Sequence, residues 1–187
     1  MYNLYRDENL SGVFVHVPRT GGTFVVRVLG LVGLNVIMQG TAHAPLYNAE
    51  KNVFTFAFVR HPLTWYQSMF SFRRETFWPD EDSFPWSKWL KADNIDAFVD
   101  RAARMWPEGW YSEIMDQATV DRNRVISMVG RYESLMTDLA MILREMKELP
   151  PTRNLRPVNS TLCHEPLSKK SVETILSIER KVIERWY

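Results

Sequence analysis

The chain has 187 residues, of which 45% are hydrophobic and 24% are charged, and its formal net charge is +1. This length allows a full hydrophobic core, so we predict a single domain over residues 1–187. The near-neutral charge argues against a general attraction to nucleic acid or to an anionic membrane, and a lone cysteine, Cys163, excludes an intrachain disulfide framework.

The first residues, Met1 to Glu8, do not combine a basic stretch with a following apolar one. No apolar run in the sequence approaches the ~18 residues of a membrane span. We therefore expect a cytoplasmic protein that has no signal peptide, no membrane partner and no nucleic-acid partner.

The first predicted strand is the apolar run from Val13 to Val17, which ends at Pro18. A turn with one cation, two hydroxyls and two glycines follows it, and a helical pattern begins there. Backbone N–H groups at such a helix start are typical binding groups for phosphate or sulfate. The turn has neither the Walker A pattern nor the G-x-G-x-x-G spacing, so an ordinary strand-to-helix turn is the alternative. Its residues are Arg19, Thr20, Gly21, Gly22 and Thr23.

A short strand is predicted next, from Asn35 to Met38, and a loop from Gln39 to Asn52 follows it. The loop contains His43. Free histidine titrates near pH ~6.5, so a neutral imidazole can accept a proton at physiological pH. His43 is therefore our candidate general base, and an unremarkable surface histidine is the alternative.

Another apolar strand is predicted from Val53 to Val59, and Arg60-His61-Pro62 leads from it into a helix that contains Ser68. A guanidinium at the carboxyl end of a parallel strand faces the crevice in which α/β proteins bind ligands. Two strand–turn–helix units thus direct anion-binding groups to one edge of the sheet. This coincidence favours a phosphate site over an ordinary turn.

The segment from Phe72 to Trp89 is rich in aromatic residues, which either line an acceptor groove or pack against the body of the protein. Because aromatic side chains are first of all large hydrophobes, we favour packing for most of them. The remaining predicted elements are a helix from Asn94 to about Ala118 with an interruption near Pro107, a strand from Arg124 to Val129, a helix from Glu133 to Leu149, a loop from Thr152 to Leu167 and a helix from about Ser168 to Trp186. Strands that alternate with helices predict an α/β fold with a parallel sheet covered on both faces.

Four segments resemble motifs of the PAPS-dependent sulfotransferases, where PAPS is 3′-phosphoadenosine 5′-phosphosulfate. They are His16–Thr23, Phe58–Ser68, Gly130–Leu135 and Pro157–Ser160, and they occur in the family's order. The likeness is to the branch with carbohydrate sulfotransferases and small bacterial or viral relatives. It implies a P-loop-like, three-layer α/β fold with a central parallel sheet flanked by helices.

The resemblance also implies a role for each candidate residue. The turn, with Arg19 as a catalytic cation, would hold the 5′-phosphosulfate, and His43 would lie near the acceptor. The residues implied elsewhere are Arg60 and Ser68 at the 3′-phosphate, and Asn159 and Ser160 in a late loop that closes over the nucleotide. The donor would be PAPS, without a metal ion, and the acceptor a hydroxyl or amine of a carbohydrate or small molecule. The oligomeric state stays open.

One position departs from the family, which usually has lysine where this chain has Arg19. Arginine keeps the charge but is planar and forked, so the exchange is not neutral. It motivates the hypothesis of a non-catalytic module that binds PAPS or phosphate. A nucleotide or small-molecule kinase is a further alternative, although the chain lacks a Walker lysine and an obvious acidic residue for magnesium at a strand end.

Overall fold

The computed structural model describes residues 1–38, 53–76, 78, 87–121, 124–148 and 164–187. Over these residues the chain is an α/β protein with one five-stranded sheet, one two-stranded sheet and eight α-helices. In chain order the elements are β1 (Tyr2–Arg6), β2 (Asn9–Phe14), α1 (Gly22–Leu31), β3 (Asn35–Met38), β4 (Thr55–Val59), α2 (Pro62–Thr76), α3 (Ser87–Leu90), α4 (Ile95–Met105), α5 (Trp110–Thr119), β5 (Val120–Asp121), β6 (Arg124–Val125), β7 (Met128–Arg131), a 3₁₀ helix (Tyr132–Ser134), α6 (Leu135–Glu145), α7 (Lys169–Ile178) and α8 (Arg180–Trp186). The α/β class is as the sequence predicts.

The five-stranded sheet is mixed, with the strand order β3-β1-β2-β4-β7. β2, β4 and β7 are parallel, whereas β1 runs antiparallel to both of its neighbours. The register pairs Arg6 with Asn9, so only two residues connect β1 to β2. A connection this short joins only antiparallel strands. A wholly parallel central sheet is therefore not confirmed.

The three parallel strands are in a register that brings their carboxyl ends together. Phe14 of β2 pairs with Phe56 of β4, and Val59 at the end of β4 pairs with Arg131 at the end of β7. The Val15 N–H donates to the carbonyl of Phe56 at 2.8 Å, so the pairing of this segment with β4 continues past the end of β2. Whatever follows these strands therefore lies at one edge of the sheet.

Apolar side chains from the sheet, α1 and α6 form one buried core. All five residues of β4 are buried, as a continuous apolar run predicts for a central strand. The core residues are Leu4, Phe14, Phe24, Val25, Val28, Leu29, Leu34, Phe56, Phe58, Leu135, Leu139, Ile142 and Leu143. The core therefore fixes the starts of both helices against the carboxyl edge of the sheet.

Contacts between Cα atoms divide the chain into two compact units. The first comprises Met1–Arg60 and Met115–Ser160, and the second comprises His61–Ile114 and Thr161–Tyr187. The five-stranded sheet belongs to the first unit. The single domain that the sequence predicts stays a prediction.

Aromatic rings form the core of the second unit. Trp65 stacks on Tyr111 with 4.4 Å between ring centroids. Trp78 is buried and packs edge-on against Phe70 at 5.5 Å, which is the packing role that we favour for the aromatic segment. Trp89 is 71% exposed. The other aromatic residues of that segment after Phe72, namely Phe77, Phe84 and Trp86, lie outside the described residues.

The last predicted helix is in fact two helices, α7 and α8, and Glu179 separates them. Glu179 is 0% exposed, and its carboxylate accepts hydrogen bonds from the N–H groups of Tyr111 and Ser112 in the first turn of α5. The prediction of one continuous helix is wrong. Periodic apolar residues indicate a helix, but they do not reveal the buried contacts of Glu179 at the point where α7 ends.

Among the described residues, no helix has both the length and the apolar character needed to cross a membrane.

Candidate anion-binding site

The turn between β2 and α1 has the backbone geometry of an anion-binding concavity. Arg19 has a φ of 64° and Gly21 has a φ of 86°, so both lie in the left-handed region. Gly21 is also the N-cap residue of α1, and the Val25 N–H donates to its carbonyl at 3.1 Å. Left-handed residues next to a helix start turn successive N–H groups toward one point, and such concavities bind anions.

The side chain of Thr20 supports this turn from within. Thr20 is 0% exposed, and its Oγ1 donates to the carbonyl of Val17 at 2.9 Å. The hydroxyl proton is thus used to close the turn.

The start of α1 suits a negatively charged ligand. No described side chain caps its N-terminus, and no acidic residue lies in its first turn. The first N–H groups of a helix lack partners within the helix, and the helix dipole places partial positive charge there. Thr23 is exposed in this first turn.

Gly22 is needed here because another side chain occupies the space of a Cβ. The imidazole of His16 would overlap any Cβ at this position. His16 is half-buried and stacks on Phe14 with 5.7 Å between ring centroids. Both contacts give His16 a role in packing.

Arg60 contacts the turn directly. Its Nη1 donates to the carbonyl of Arg19 at 3.2 Å, and the residue is only 8% exposed. Its guanidinium lies over the ring of Tyr132, with 4.2 Å from Cζ to the ring centroid. The structure therefore joins two of the predicted anion-binding residues, Arg19 and Arg60, in one cluster.

Sequence reasoning did not select Tyr132, although it noted the segment Gly130–Leu135. Arg60 and Tyr132 each come directly after a paired residue, Val59 and Arg131, so the register of two parallel strands places them side by side. A Cβ on Gly21 would lie 3.1 Å from the Tyr132 ring, which shows that this ring also lies against the turn. An aromatic residue just after a third parallel strand was the signal available in the sequence.

Ser68, also predicted to bind the 3′-phosphate, is buried in α2, which belongs to the second unit. His43, Asn159 and Ser160 lie outside the described residues. Glu133, a carboxylate that could serve as a base in place of His43, is exposed in the 3₁₀ helix.

In the described part of the chain, no group of three or more His, Cys, Asp or Glu side chains could hold a metal ion. The cluster instead contains the backbone N–H groups of a helix start and the Arg60 guanidinium, which are donors that can orient an oxyanion. Comparisons with protein-family models, with curated proteins and with solved structures find no match to this chain.

Proposed function

We propose that this protein is a PAPS-dependent sulfotransferase and that the turn at residues 19–23 binds the 5′-phosphosulfate of the donor. The observation that carries the proposal is the pair of left-handed residues, Arg19 and Gly21, at the start of α1. Arginine rarely adopts this conformation, and backbone strain of this kind concentrates at functional sites.

The sequence motif supplies the second part of the proposal. Arg60 and Ser68 would recognise the 3′-phosphate, the group that distinguishes PAPS from ATP. The position of Arg60 after β4, at the carboxyl edge of parallel strands, supports this role. The role of Ser68 comes from the motif alone. On this proposal the first unit is a P-loop-like nucleotide-binding core to which β1 adds an antiparallel strand.

The proposed reaction needs alignment and charge stabilisation more than covalent chemistry by the protein. The acceptor oxygen bonds to the sulfur as the bond from the sulfur to the bridging oxygen of the 5′-phosphate breaks. His43 takes the acceptor proton. Arg19 and the N–H groups of the turn stabilise the negative charge on the leaving phosphate, which departs as adenosine 3′,5′-bisphosphate. Asn159 and Ser160 close over the nucleotide.

The proposal is tested by thermal unfolding in the presence of nucleotides without magnesium. A ligand at a hundredfold excess over its Kd stabilises a protein by about 2.7 kcal/mol, which for this chain length corresponds to about 5–10 °C in Tm. We expect adenosine 3′,5′-bisphosphate to raise Tm more than AMP or ATP does, because only the bisphosphate fills both phosphate positions.

The same experiment distinguishes the two alternatives. A larger rise with ATP plus magnesium would replace the proposal with the kinase hypothesis. If the bisphosphate binds but labelled PAPS yields no sulfated product with sugar, phenol or peptide acceptors, the protein is the non-catalytic module.

A further inference from the structure

Arg60 stabilises the turn at residues 19–23 through a hydrogen bond, in addition to any contact that it makes with a ligand. Its Nη1 donates to the Arg19 carbonyl at 3.2 Å. That carbonyl and the Thr20 N–H belong to the same planar trans peptide, so they point in opposite directions. By fixing the carbonyl, Arg60 also fixes the direction of the Thr20 N–H, a backbone donor of the turn.

Tyr132 in turn holds Arg60. The guanidinium lies 4.2 Å above the centre of the Tyr132 ring, and Arg60 is 8% exposed, so the cation–π contact is largely desolvated. The edge of the same ring lies against Gly21, where a Cβ would come within 3.1 Å of it. One ring therefore supports both the side chain that holds the turn and the backbone of the turn.

We propose that Arg60, held by Tyr132, is a positioning residue for the anion-binding turn at residues 19–23. The ligand class rests on the proposed function, but the contacts do not. The consequence is specific. Removal of Arg60 weakens binding of the 5′-phosphosulfate, although the sequence motif assigns Arg60 to the 3′-phosphate at the other end of the nucleotide.

The probe is adenosine 5′-phosphosulfate, which has no 3′-phosphate, and its Kd is measured by calorimetry. A charge-assisted hydrogen bond corresponds to a factor of about 10–100 in affinity, so Arg60→Ala should weaken binding of this probe by that factor. Arg60→Lys should restore only part of the affinity, because an ammonium cannot provide the planar stack. The exposed Arg27 on α1 is the matched control, and Arg27→Ala should leave the affinity unchanged.

Variants of Tyr132 separate positioning from bulk stability. Tyr132→Phe keeps the ring and should retain affinity, whereas Tyr132→Leu should weaken binding by a factor of about 3–30. If Tyr132 acts partly through Arg60, Tyr132→Leu should cost less affinity in the Arg60→Ala background than in the wild type, and what remains reflects its direct contact with Gly21. Circular dichroism and Tm verify that each variant is folded.

Two results would overturn the inference. One is an Arg60→Ala protein that loses affinity for adenosine 3′,5′-bisphosphate but not for adenosine 5′-phosphosulfate. The other is strict additivity of Arg60→Ala and Tyr132→Leu. If the wild-type protein binds neither nucleotide, the proposed function fails. The inference is then decided by urea unfolding of the wild type, Arg60→Ala, Tyr132→Leu and the double variant. Non-additive free energies of unfolding would support it, and additive ones would overturn it.

Discussion

Arg19 holds a backbone conformation that costs a non-glycine residue about 1–2 kcal/mol. Its φ of 64° is one of three positive values among the described non-glycine residues, and the others, Asp7 and Lys147, lie outside the site cluster. The hydrogen bond from Arg60 to the Arg19 carbonyl offsets part of this cost. A glycine would adopt the conformation freely, so the arginine side chain itself is the feature that needs a function.

Replacement of Arg19 separates the backbone from the side chain. Arg19→Ala and Arg19→Gly both remove the charge, and both should lower turnover with PAPS more than they weaken binding of adenosine 3′,5′-bisphosphate. Arg19→Gly should be more stable than Arg19→Ala by about 1 kcal/mol in urea unfolding, because glycine is unstrained here. Arg19→Lys should retain turnover or raise it. Unchanged turnover in both uncharged variants would remove Arg19 from the mechanism.

His43 can be tested as the base without a description of its position. A positioned general base contributes about 10²–10⁴ in rate. His43→Ala should therefore lower kcat at least about a hundredfold while the Kd of adenosine 3′,5′-bisphosphate stays the same. Wild-type activity should fall at acidic pH as an imidazole protonates near pH ~6.5, and this inflection should vanish in the variant. Near-normal turnover with the same pH profile would point to Glu133 or His16.

Residue chemistry in the site could be predicted only where it is local in sequence. The two glycines before a helical pattern indicated a special turn, and Gly21 has the positive φ that such a turn needs. The contact between Arg60 and Tyr132 depends on the register of two parallel strands separated by more than sixty residues, and no local pattern encodes that register. Tyr132 was missed for this reason.

At the scale of elements, the starts of α4 and α7 are joined through one carboxylate. Asp96 lies in the first turn of α4 and accepts a hydrogen bond from the Ser168 N–H at 3.1 Å. Ser168 in turn caps α7 by accepting from the Ser171 N–H at 3.2 Å. Hydrogen bonding from Ser171, and then from Ser168, holds the pKa of Asp96 below its usual range, with a smaller contribution from the charge of Lys170.

The lowered pKa gives a signed pH dependence. A carboxylate with a depressed folded-state pKa stabilises the protein above the unfolded value of about 3.9, and the stabilisation is lost as pH falls through the folded value. Asp96→Asn should lower the free energy of unfolding by about 1 kcal/mol at pH 7, since the group is partly solvated. The difference in the free energy of unfolding between wild type and Asp96→Asn should therefore disappear at low pH.

Asp100→Asn provides the control for Asp96. Asp100 pairs with the exposed Lys170 at 3.2 Å, a surface ion pair of the kind that contributes about 0–1 kcal/mol and is screened by salt. Its effect should therefore diminish in 1 M salt. If the difference in the free energy of unfolding between wild type and Asp96→Asn stayed constant from pH 7 to pH 2, the stabilisation could not be assigned to the ionised Asp96.

The elements that sequence patterns predicted well are those with long apolar periods, such as β4, α1 and α6. β1 was missed because the polar residues Asn3 and Arg6 interrupt its apolar pattern, and its pairing with β2 supplies the stability that the pattern does not show. The break between α7 and α8 was missed because its cause, Glu179, is defined by partners on other elements. Patterns along one chain segment do not contain such partners.

For the molecule as a whole, the order of the predicted strands and helices indicated the fold class but not the topology of the sheet. Alternating strands and helices gave α/β, and the antiparallel β1 made the sheet mixed. The sequence shows no linker between the two compact units. The chain passes from the first unit to the second between Arg60 and His61, which belong to a single sequence motif.

Glu179 joins three distant segments of the chain within the second unit. Its Oε1 accepts from the Tyr66 hydroxyl of α2 at 2.8 Å, and its Oε2 accepts from the N–H and the hydroxyl of Ser112 on α5, both at 2.7 Å. Burial, and then the adjacent Glu179 carboxylate, raises the pKa of Tyr66 well above its usual value, so the phenol remains a donor. Gly109 makes room, since a Cβ there would lie 2.7 Å from Oε2.

Glu179→Gln should destabilise the protein strongly although it keeps the size of the side chain. An amide cannot accept at both ends, so its NH₂ group would face a backbone donor, either the Tyr111 N–H or the Ser112 N–H. That N–H would lose its buried charge-assisted bond, whereas the hydroxyls can rotate to accept. We expect a loss of about 3 kcal/mol in urea unfolding monitored by tryptophan fluorescence, which Trp65 and Trp110 of this unit report. Tyr66→Phe, which removes one donor, should cost about half as much. The control is Glu173→Gln on α7. The Glu173 side chain is 66% exposed, so its replacement should change the free energy of unfolding by no more than about 0.5 kcal/mol. Equal stability of the Glu179→Gln and Glu173→Gln proteins would show that the buried Glu179 carboxylate does not hold these segments together.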